Sequence, residues 1–258
     1  MPLSIMAARF YYPESMTSGQ VITLPANIGH HAARVLRLKQ GDSVTLFNGK
    51  GGEFSGLIDR IDKSGSTVIL SEFHEIERES PLTINLVQAV SSNEKMDWII
   101  QKSVELGVSS IQPTTANRSV VRLTEERANR RLLHWQHVII AACEQCGRNR
   151  IPRLLPLLTL ADWFNQYAAS KRNNIENGNV YKFLLSVTAN KRLAEFPSPP
   201  LDTTVTLLVG PEGGFTAEEE KTAYAARFVS ICLGQRILRT ESAALAAIAA
   251  IQTLWGDY

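Results

Sequence analysis

Two stretches near the end of the chain are the most informative: Leu207-Leu208-Val209-Gly210-Pro211-Glu212-Gly213-Gly214-Phe215 and Leu233-Gly234-Gln235-Arg236-Ile237-Leu238-Arg239-Thr240-Glu241-Ser242-Ala243. Each begins as an apolar strand, breaks into a Gly-rich or polar loop and then opens a helix. We name residues 210–214 the glycine loop and residues 233–239 the arginine loop. Because ligands of open α/β sheets bind at the carboxyl ends of strands, two such loops predict a single small-molecule site.

The glycine loop does not have the spacing of the familiar nucleotide-binding motifs. It contains neither G-x-G-x-x-G nor the Gly-Lys-Ser/Thr of a phosphate loop, so an ATP or NAD site is unsupported. Its glycines instead allow backbone N–H and C=O groups to approach a ligand closely. Two simpler interpretations stay open: a tight strand-to-helix turn for the glycine loop, and an ion pair between Glu241 and the arginines of the arginine loop.

Length and composition indicate a globular protein with two domains or one large one. The chain has 258 residues, of which 44% are hydrophobic and 20% charged, and its net charge is +2. Its three cysteines form no disulfide framework, and no apolar run is long enough to span a bilayer. A cytoplasmic protein is therefore expected.

The pattern of strands and helices changes once along the chain. Residues 1–75 predict a small β domain, with a helix at 29–38 and strands at 20–24, 43–47, 52–61 and 67–72. A charged linker at 75–79 precedes a second domain, 80–258, in which strands and helices alternate. This alternation predicts an α/β fold with a parallel sheet.

Local signals mark the boundaries of elements in the second domain. Apolar runs predict buried strands at 82–89, 108–113, 180–187, 205–209 and 228–233. Gly107 and Gly147 are placed to end two helices. Thr216 and Glu219 have the spacing of a capping box, and Thr240 is predicted to cap the last helix.

Arginine is concentrated in residues 118–153, which contain eight arginines, three glutamates and no lysine. Arginine binds phosphate and stacks on bases, which indicates nucleic acid as a partner; a solvated helix face is the alternative. The segment Arg9-Phe10-Tyr11-Tyr12 suits nucleic acid and equally the core of a barrel. No metal site is expected, because the histidines and cysteines of this region share one predicted helix and point to different sides: His134, His137, Cys143 and Cys146.

Five segments in order resemble those of the SPOUT-class RNA methyltransferases, specifically the bacterial 16S ribosomal RNA uridine N3-methyltransferase family. They are His30-His31-Ala32-Ala33-Arg34-Val35-Leu36-Arg37-Leu38-Lys39-Gln40-Gly41-Asp42, the run from Glu94-Lys95-Met96-Asp97 to Lys102-Ser103-Val104-Glu105-Leu106-Gly107, Glu144-Gln145-Cys146-Gly147-Arg148, and the two stretches quoted first. The resemblance covers nearly the whole chain. Cys146 departs from the pattern, where a small residue such as Ser is expected.

The resemblance implies a fold and a set of partners. The C-terminal domain would be an α/β trefoil knot, in which the end of the chain threads a loop, a rare exception among folds. The N-terminal domain would be a PUA-like β-barrel that holds RNA. The cofactor would be S-adenosylmethionine, the substrate N3 of a uridine in 16S ribosomal RNA, and the enzyme a homodimer.

Roles for individual residues also follow from the resemblance. The cofactor would contact Leu184, Leu185, Ser186, Leu208, Val209, Gly210, Pro211, Glu212, Gly213, Gly214, Leu233, Gly234, Ile237, Leu238 and Arg239. Arg239 and Arg9 would stabilise negative charge on the uracil, and Glu212 or Glu241 would orient it or accept its proton. The expected RNA contacts are Arg9, His31, Arg34, Arg37, Lys39, Arg118, Arg148 and Arg150.

Two other functions remain possible on the sequence alone. One is a non-catalytic RNA-binding factor in ribosome assembly, and the other is a SPOUT methyltransferase that acts on another base or on ribose. The glycine and arginine loops argue against the first, because a pure RNA binder has no need of a second ligand site.

Overall fold

The computed structural model describes residues 7–62, 65–121, 124–173, 180–200 and 203–258. The chain divides into two compact units. Unit 1 comprises Met1–Glu79 and Cys143–Ile151, and unit 2 comprises Ser80–Ala142 and Pro152–Tyr258. The sequence predicts a division between 75 and 80, but it carries no sign that Cys143–Ile151 belongs to the first unit.

Unit 1 is built on a five-stranded mixed sheet with the strand order β1-β3-β4-β5-β2. The strands are β1 (Ala8–Tyr11), β2 (Val21–Thr23), β3 (Ser43–Phe47), β4 (Glu53–Asp62) and β5 (Gly65–His74). β1 pairs with β3 in parallel, and the other neighbours are antiparallel. Alternating side chains bury Phe10, Leu46 and Val68 in one core, so the aromatic segment at residues 9–12 contributes to the core.

The helix predicted at 29–38 is shorter than expected and begins earlier. α1 is Ala26–His30, and a single π-helical turn follows at His31–Val35. Arg37 then adopts a φ of 55°, and the N–H of Leu38 donates to the carbonyl of Ala32 at 2.9 Å. The left-handed residue ends the helical segment because it turns the backbone back toward the preceding carbonyls.

Unit 2 contains a parallel sheet with the strand order β12-β10-β11-β6-β7-β8, and β9 also pairs with β7. The strands are β6 (Thr83–Ala89), β7 (Ser110–Thr115), β8 (Arg153–Leu154), β9 (Leu158–Thr159), β10 (Val180–Leu185), β11 (Thr204–Val209) and β12 (Val229–Ile231). Every pair is parallel, which confirms the predicted α/β fold. The apolar run of β11 is buried from Val205 to Val209, as expected for a central strand with both faces covered.

The helices of unit 2 have several boundaries where local signals predict them. They are α2 (Asn93–Glu105), α3 (Glu125–Cys146, whose last turn belongs to unit 1), α4 (Leu160–Asn173), α5 (Ala217–Ala225) and α6 (Thr240–Trp255). Gly107 and Gly147 follow α2 and α3 with φ values of 85° and 88°. The capping box is confirmed: Thr216 N–H donates to Glu219 Oε2 at 2.8 Å, and Glu219 N–H donates to Thr216 Oγ1 at 3.3 Å.

The chain returns from the edge of the sheet toward its middle before α6 begins. β12 lies at the edge beside β10, yet Thr240 donates its hydroxyl proton to the carbonyl of Gly210, directly after β11, at 2.6 Å. The trefoil knot implied by the resemblance requires a segment that returns in this way. Thr240 does not cap α6 as predicted: Arg239 occupies the N-cap position, and the hydroxyl is already bonded to Gly210.

Candidate functional site

The carboxyl ends of β10, β11 and β12 open into one cavity of about 1150 Å³. The loops that follow these three strands line it, together with Lys95 at the start of α2 and Arg118 after β7. Ligand pockets commonly measure about 300–1,000 Å³, so this one has room for a cofactor and part of a second reactant. The glycine loop and the arginine loop both contribute to its wall.

Thirteen of the residues predicted to contact a cofactor line the cavity: Leu185, Ser186, Val209, Gly210, Pro211, Glu212, Gly213, Gly214, Leu233, Gly234, Ile237, Leu238 and Arg239. Leu184 and Leu208 do not. They are paired neighbours on β10 and β11, and their side chains lie in the core with Val87 and Leu160. Because side chains alternate along a strand, these two leucines point into the core and their side chains cannot reach a ligand in the cavity.

The glycine loop is a tight turn that Arg118 holds in place. Gly214 N–H donates to the carbonyl of Pro211 at 2.9 Å, and Gly214 has a φ of 68°, which favours glycine. Arg118 Nη1 donates to the carbonyls of Gly213 at 3.1 Å and Phe215 at 3.2 Å. A Cβ on Gly213 would lie 3.1 Å from Arg118 Cβ, so this close approach favours glycine. Arg118, expected to contact RNA, is thus bonded at one nitrogen to the loop backbone.

The arginine loop presents cations without bonded partners among the residues that the structure describes. Arg236 and Arg239 are exposed, line the cavity and form no hydrogen bond or ion pair through their side chains within those ranges. Ile237, between them, is 82% exposed at the same cavity. The simpler interpretation, an ion pair between these arginines and Glu241, is therefore not what the structure contains.

Glu241 and Glu212 instead share Lys95, which sequence reasoning did not single out as a site residue. Lys95 Nζ lies 3.1 Å from Glu212 Oε1 and 3.7 Å from Glu241 Oε2. Burial alone would raise the pKa of Glu212, but backbone hydrogen bonds and Lys95 outweigh it and hold that pKa below its ordinary value. Glu212 is therefore a carboxylate and a weak base. Lys95 falls within one of the segments that carry the family resemblance, and that is the one signal by which it could have been found.

Arg9 lies in unit 1, where its guanidinium is already bonded. Nη1 donates to Glu53 Oε2 at 2.7 Å, and Nη2 donates to Asn149 Oδ1 at 2.7 Å and to the carbonyl of Gly147 at 3.2 Å. The side chain is only 7% exposed. The expectation that Arg9 contacts uracil or RNA is corrected on this ground, because withdrawing it would leave Glu53 buried without this partner.

The remaining predicted RNA contacts of unit 1 differ in their exposure. Arg148 is 4% exposed and binds Glu79 through two nitrogens, so it is a structural residue rather than a free phosphate ligand. Arg150 pairs with Glu77 at 2.9 Å, but its side chain is 54% exposed. Four further candidates have exposed side chains: His31, Arg34, Arg37 and Lys39.

Cys143 packs in unit 1 and is not suited to react. Burial raises the pKa of its thiol to about 12, and Sγ donates to the carbonyl of Arg150 at 3.8 Å. A protonated thiol is a poor nucleophile and a poor metal ligand. In the five described ranges, no group of three or more His, Cys, Asp or Glu side chains is arranged to hold a metal ion. Over the same ranges, no helix has both the length and the apolar character needed to cross a membrane.

Comparison with protein-family models gives two matches that follow each other along the chain. Residues 24–71 match the PUA domain of RNA methyltransferases, and residues 78–252 match the RNA methyltransferase domain. The first match covers most of the sheet of unit 1. The second contains the parallel sheet and both loops of the cavity.

Individual relatives match over nearly their whole length. The ribosomal RNA small subunit methyltransferase E of Buchnera aphidicola (subsp. Schizaphis graminum) is 35% identical, over 96% of this chain and 97% of the relative. The crystal structure of a protein of that name from Neisseria gonorrhoeae, bound to S-adenosylmethionine, is 40% identical with a TM-score of 0.87 over 98% and 99% of the two chains. A Legionella pneumophila structure with the same bound cofactor is 38% identical with a TM-score of 0.89 over 98% and 100%. The chain therefore belongs to the ribosomal RNA small subunit methyltransferase E family, SPOUT-type RNA methyltransferases with a PUA domain.

Proposed function

We propose that this chain transfers a methyl group from S-adenosylmethionine to N3 of a uridine in the 16S ribosomal RNA of the small subunit. The observation that carries this is the cavity at the ends of β10, β11 and β12, where the expected cofactor contacts meet the exposed Arg239. Structures of two relatives with bound S-adenosylmethionine support the cofactor. The names of the curated relatives support ribosomal RNA as the substrate.

The cavity lining fits the adenine and ribose of S-adenosylmethionine. Its uncharged adenine and ribose suit backbone donors and acceptors, which glycine-rich loops present without side chains in the way. At Gly214 and Gly234, no atom lies within 4 Å of the position of an added Cβ, so the backbone is open there. Glu212 lines the cavity beside Lys95 and offers one carboxylate to a cationic group of the ligand. The bound cofactor supplies an electrophilic methyl group.

Different side chains in and beside the cavity lining then stabilise charge on the uracil, orient it and accept its proton. N3 lies on the Watson–Crick edge, so the base has to be unpaired or flipped before it can be methylated. Arg239 stabilises the negative charge that develops on the uracil oxygens as the N3 proton leaves. Glu212, held as a weakly basic carboxylate by Lys95, orients the base. Glu241 is not among the lining residues but lies 3.7 Å from Lys95, which is, and it is then the candidate to accept the proton.

We assign RNA binding to five exposed basic residues of unit 1. Cations on a folded surface bind the phosphate backbone and release its counterions, which makes such binding salt-dependent. The residues are His31, Arg34, Arg37, Lys39 and Arg150. We also infer a homodimer that works in the cytoplasm; sedimentation equilibrium of the purified protein tests the dimer.

Small subunits from cells that lack the protein provide the direct test. They are incubated with purified protein and S-adenosylmethionine, and the digested 16S RNA is analysed by mass spectrometry. We expect one new 3-methyluridine. A methyl group on another base or on ribose would favour the related SPOUT activity. No methylation, together with no S-adenosylmethionine binding in calorimetry, would favour the assembly factor.

A further inference from the structure

A buried chain of hydrogen bonds joins β6, the glycine loop and the start of α6. Thr240 Oγ1 donates its single proton to the carbonyl of Gly210 at 2.6 Å. Because that proton is used, Thr240 Oγ1 can only accept from Gln88 Nε2, which lies 3.2 Å away. Gln88 Nε2 also donates to the carbonyl of Ala89 at 2.9 Å. Gln88 is fully buried and Thr240 nearly so.

The direction of this chain follows from the donors that are present. If the Gln88 amide were turned over, its oxygen would face the carbonyl of Ala89 and a Thr240 oxygen whose proton points elsewhere. In the observed orientation, Gln88 Oε1 is buried without a hydrogen-bond partner among the described residues. A buried unpaired oxygen costs free energy, so the contribution of Gln88 lies in the two bonds that its nitrogen donates.

These bonds tie together the two loops that form the cavity. Gly210 is the first residue of the glycine loop, and Thr240 directly follows the arginine loop. The bond between them therefore holds the start of the glycine loop, directly after β11, to the end of the arginine loop, where α6 begins. Gln88 polarises the Thr240 hydroxyl and strengthens its bond to Gly210, since linked hydrogen bonds reinforce one another.

We propose that Gln88 and Thr240 are positioning residues for S-adenosylmethionine, which hold the glycine loop against the arginine loop and so pre-form the cofactor cavity. The inference rests on the proposed function. Gln88 is not among the residues that line the cavity, so it acts through Thr240 and Gly210. Loops that have to be ordered during binding lower affinity, and loss of the chain of bonds should raise the Kd for the cofactor about tenfold.

Three variants and a matched control test this on the whole protein. Thr240→Val removes the hydroxyl at nearly constant size, Thr240→Ser restores it, and Gln88→Met removes the amide. Thr203→Val is the control: Thr203 is also fully buried in unit 2 and donates to the carbonyl of Pro200 at 2.6 Å, but it does not line the cavity. Calorimetry gives the Kd for S-adenosylmethionine, and urea unfolding gives the stability of each variant.

We expect Thr240→Val to weaken binding about tenfold, Gln88→Met to weaken it less, and Thr240→Ser to bind as the wild type does. Thr203→Val should lose stability but keep the wild-type Kd, and its kcat at saturating cofactor should stay within about twofold of wild type. Hydrogen exchange of the backbone amides at residues 210–214 in the cofactor-free protein should be faster in Thr240→Val than in the wild type. It should be unchanged in Thr240→Ser and in Thr203→Val.

The outcomes separate this inference from the proposed function. A wild-type protein that binds no S-adenosylmethionine would overturn both. A wild type that binds, with Thr240→Val binding equally well, would overturn the positioning role alone. If Thr203→Val weakened the binding of S-adenosylmethionine equally, the effect of Thr240→Val would reflect a loss of general stability, and the positioning role would be overturned. If Thr240→Val does not fold, Gln88→Met is used in its place, and a wild-type Kd for S-adenosylmethionine in that variant would overturn the positioning role.

Discussion

The same role, stabilising negative charge on the uracil, is predicted for Arg239 and Arg9, but the two arginines differ in burial and in bonded partners. Arg9 is buried between Glu53 and Asn149, which accept from its Nη1 and Nη2. Arg239 is exposed at the cavity and is bonded to no other described side chain. A cation with free donors can respond to charge that develops during a reaction, whereas a cation inside an ion pair cannot, so only Arg239 is kept as the catalytic candidate.

Arg239→Ala should lower kcat about a hundredfold while the Kd for S-adenosylmethionine changes little. The reason is that its charge is needed chiefly when the uracil becomes negative, so its loss raises the barrier rather than weakening the ground state. Methyl transfer from labelled cofactor at saturating RNA and cofactor measures this.

Arg236→Ala is the matched control, because Arg236 lies in the same loop, is also exposed and also lines the cavity. It should keep kcat within about twofold. Full turnover by Arg239→Ala, or an equal loss of kcat in both variants, would remove the assigned role of Arg239.

At the scale of elements, local capping signals located most helix boundaries, and α5 shows why. Thr216 and Glu219 satisfy each other's backbone N–H groups within four residues, so the start of α5 needs no distant partner. α6 is the exception: Thr240 has the residue type of a cap, but the nearby carbonyl of Gly210 takes its proton. A tertiary contact here overrides the local preference.

Thr216→Ala should lower the free energy of unfolding of unit 2 by about 1 kcal/mol, the usual cost of losing an N-cap side chain. The four tryptophans of the chain, at positions 98, 135, 163 and 255, all lie in unit 2, so urea unfolding followed by tryptophan fluorescence reports on this unit. In Thr222→Ala, the same helix loses an exposed hydroxyl that bonds the carbonyl of Glu218, and stability should stay within about 0.5 kcal/mol of wild type. Equal losses would contradict the capping role.

At the scale of the whole molecule, an ionic network holds Cys143–Ile151 within unit 1. Glu53 accepts from Arg9 at 2.7 Å and from Arg78 at 3.0 Å, and Arg78 also donates to the carbonyl of Gly147 at 2.9 Å. Burial alone would raise the pKa of Glu53, but the hydrogen bonds from Arg78 and Arg9 lower it to about 2. The charged form of Glu53 is therefore part of the folded state of unit 1.

This lowered pKa predicts an acid-sensitive stability. A carboxyl whose pKa is lower in the folded state contributes its stability fully above its unfolded pKa, and the contribution is lost as the pH falls from about 4.5 toward about 2. Glu53→Gln should be less stable than wild type at pH 7 and should lose less stability over that interval. Urea titrations followed by circular dichroism at several pH values measure both curves. Glu72→Gln, which removes an exposed carboxyl of the same unit, should keep the wild-type slope; parallel curves for Glu53→Gln and wild type would contradict the prediction.

Binding of the cofactor should stabilise unit 2 in proportion to its occupancy. At a concentration of S-adenosylmethionine about a hundred times its Kd, mass action adds about 2.7 kcal/mol and raises the tryptophan-monitored Tm. ATP at the same concentration serves as the control, since it shares adenine and ribose but the chain lacks a phosphate loop. An equal shift with ATP would contradict the choice of cofactor.

Most of the secondary structure was predictable because its signals are local. The apolar run of β11, the alternation in β4 and the glycines that end α2 and α3 act within a few residues of where they stand. The π-helical turn at His31–Val35 was not predictable, because an apolar and basic helical pattern does not distinguish it from an α-helix.

Local pattern was thus enough to predict the β fold of unit 1 and the parallel α/β fold of unit 2. It also located the two loops of the cavity and carried the resemblance to a methyltransferase family. It could not say whether Arg9, Lys95 and Arg239 are free or bonded, because the partners of Arg9 and Lys95 lie on segments that are distant along the chain. Arg9 and Asn149 are 140 residues apart, and Lys95 and Glu212 are 117 apart. Contacts of this kind exist only once the sheets have formed, which is why folding alone separates Arg239 at the cavity from Arg9 in the interior of unit 1.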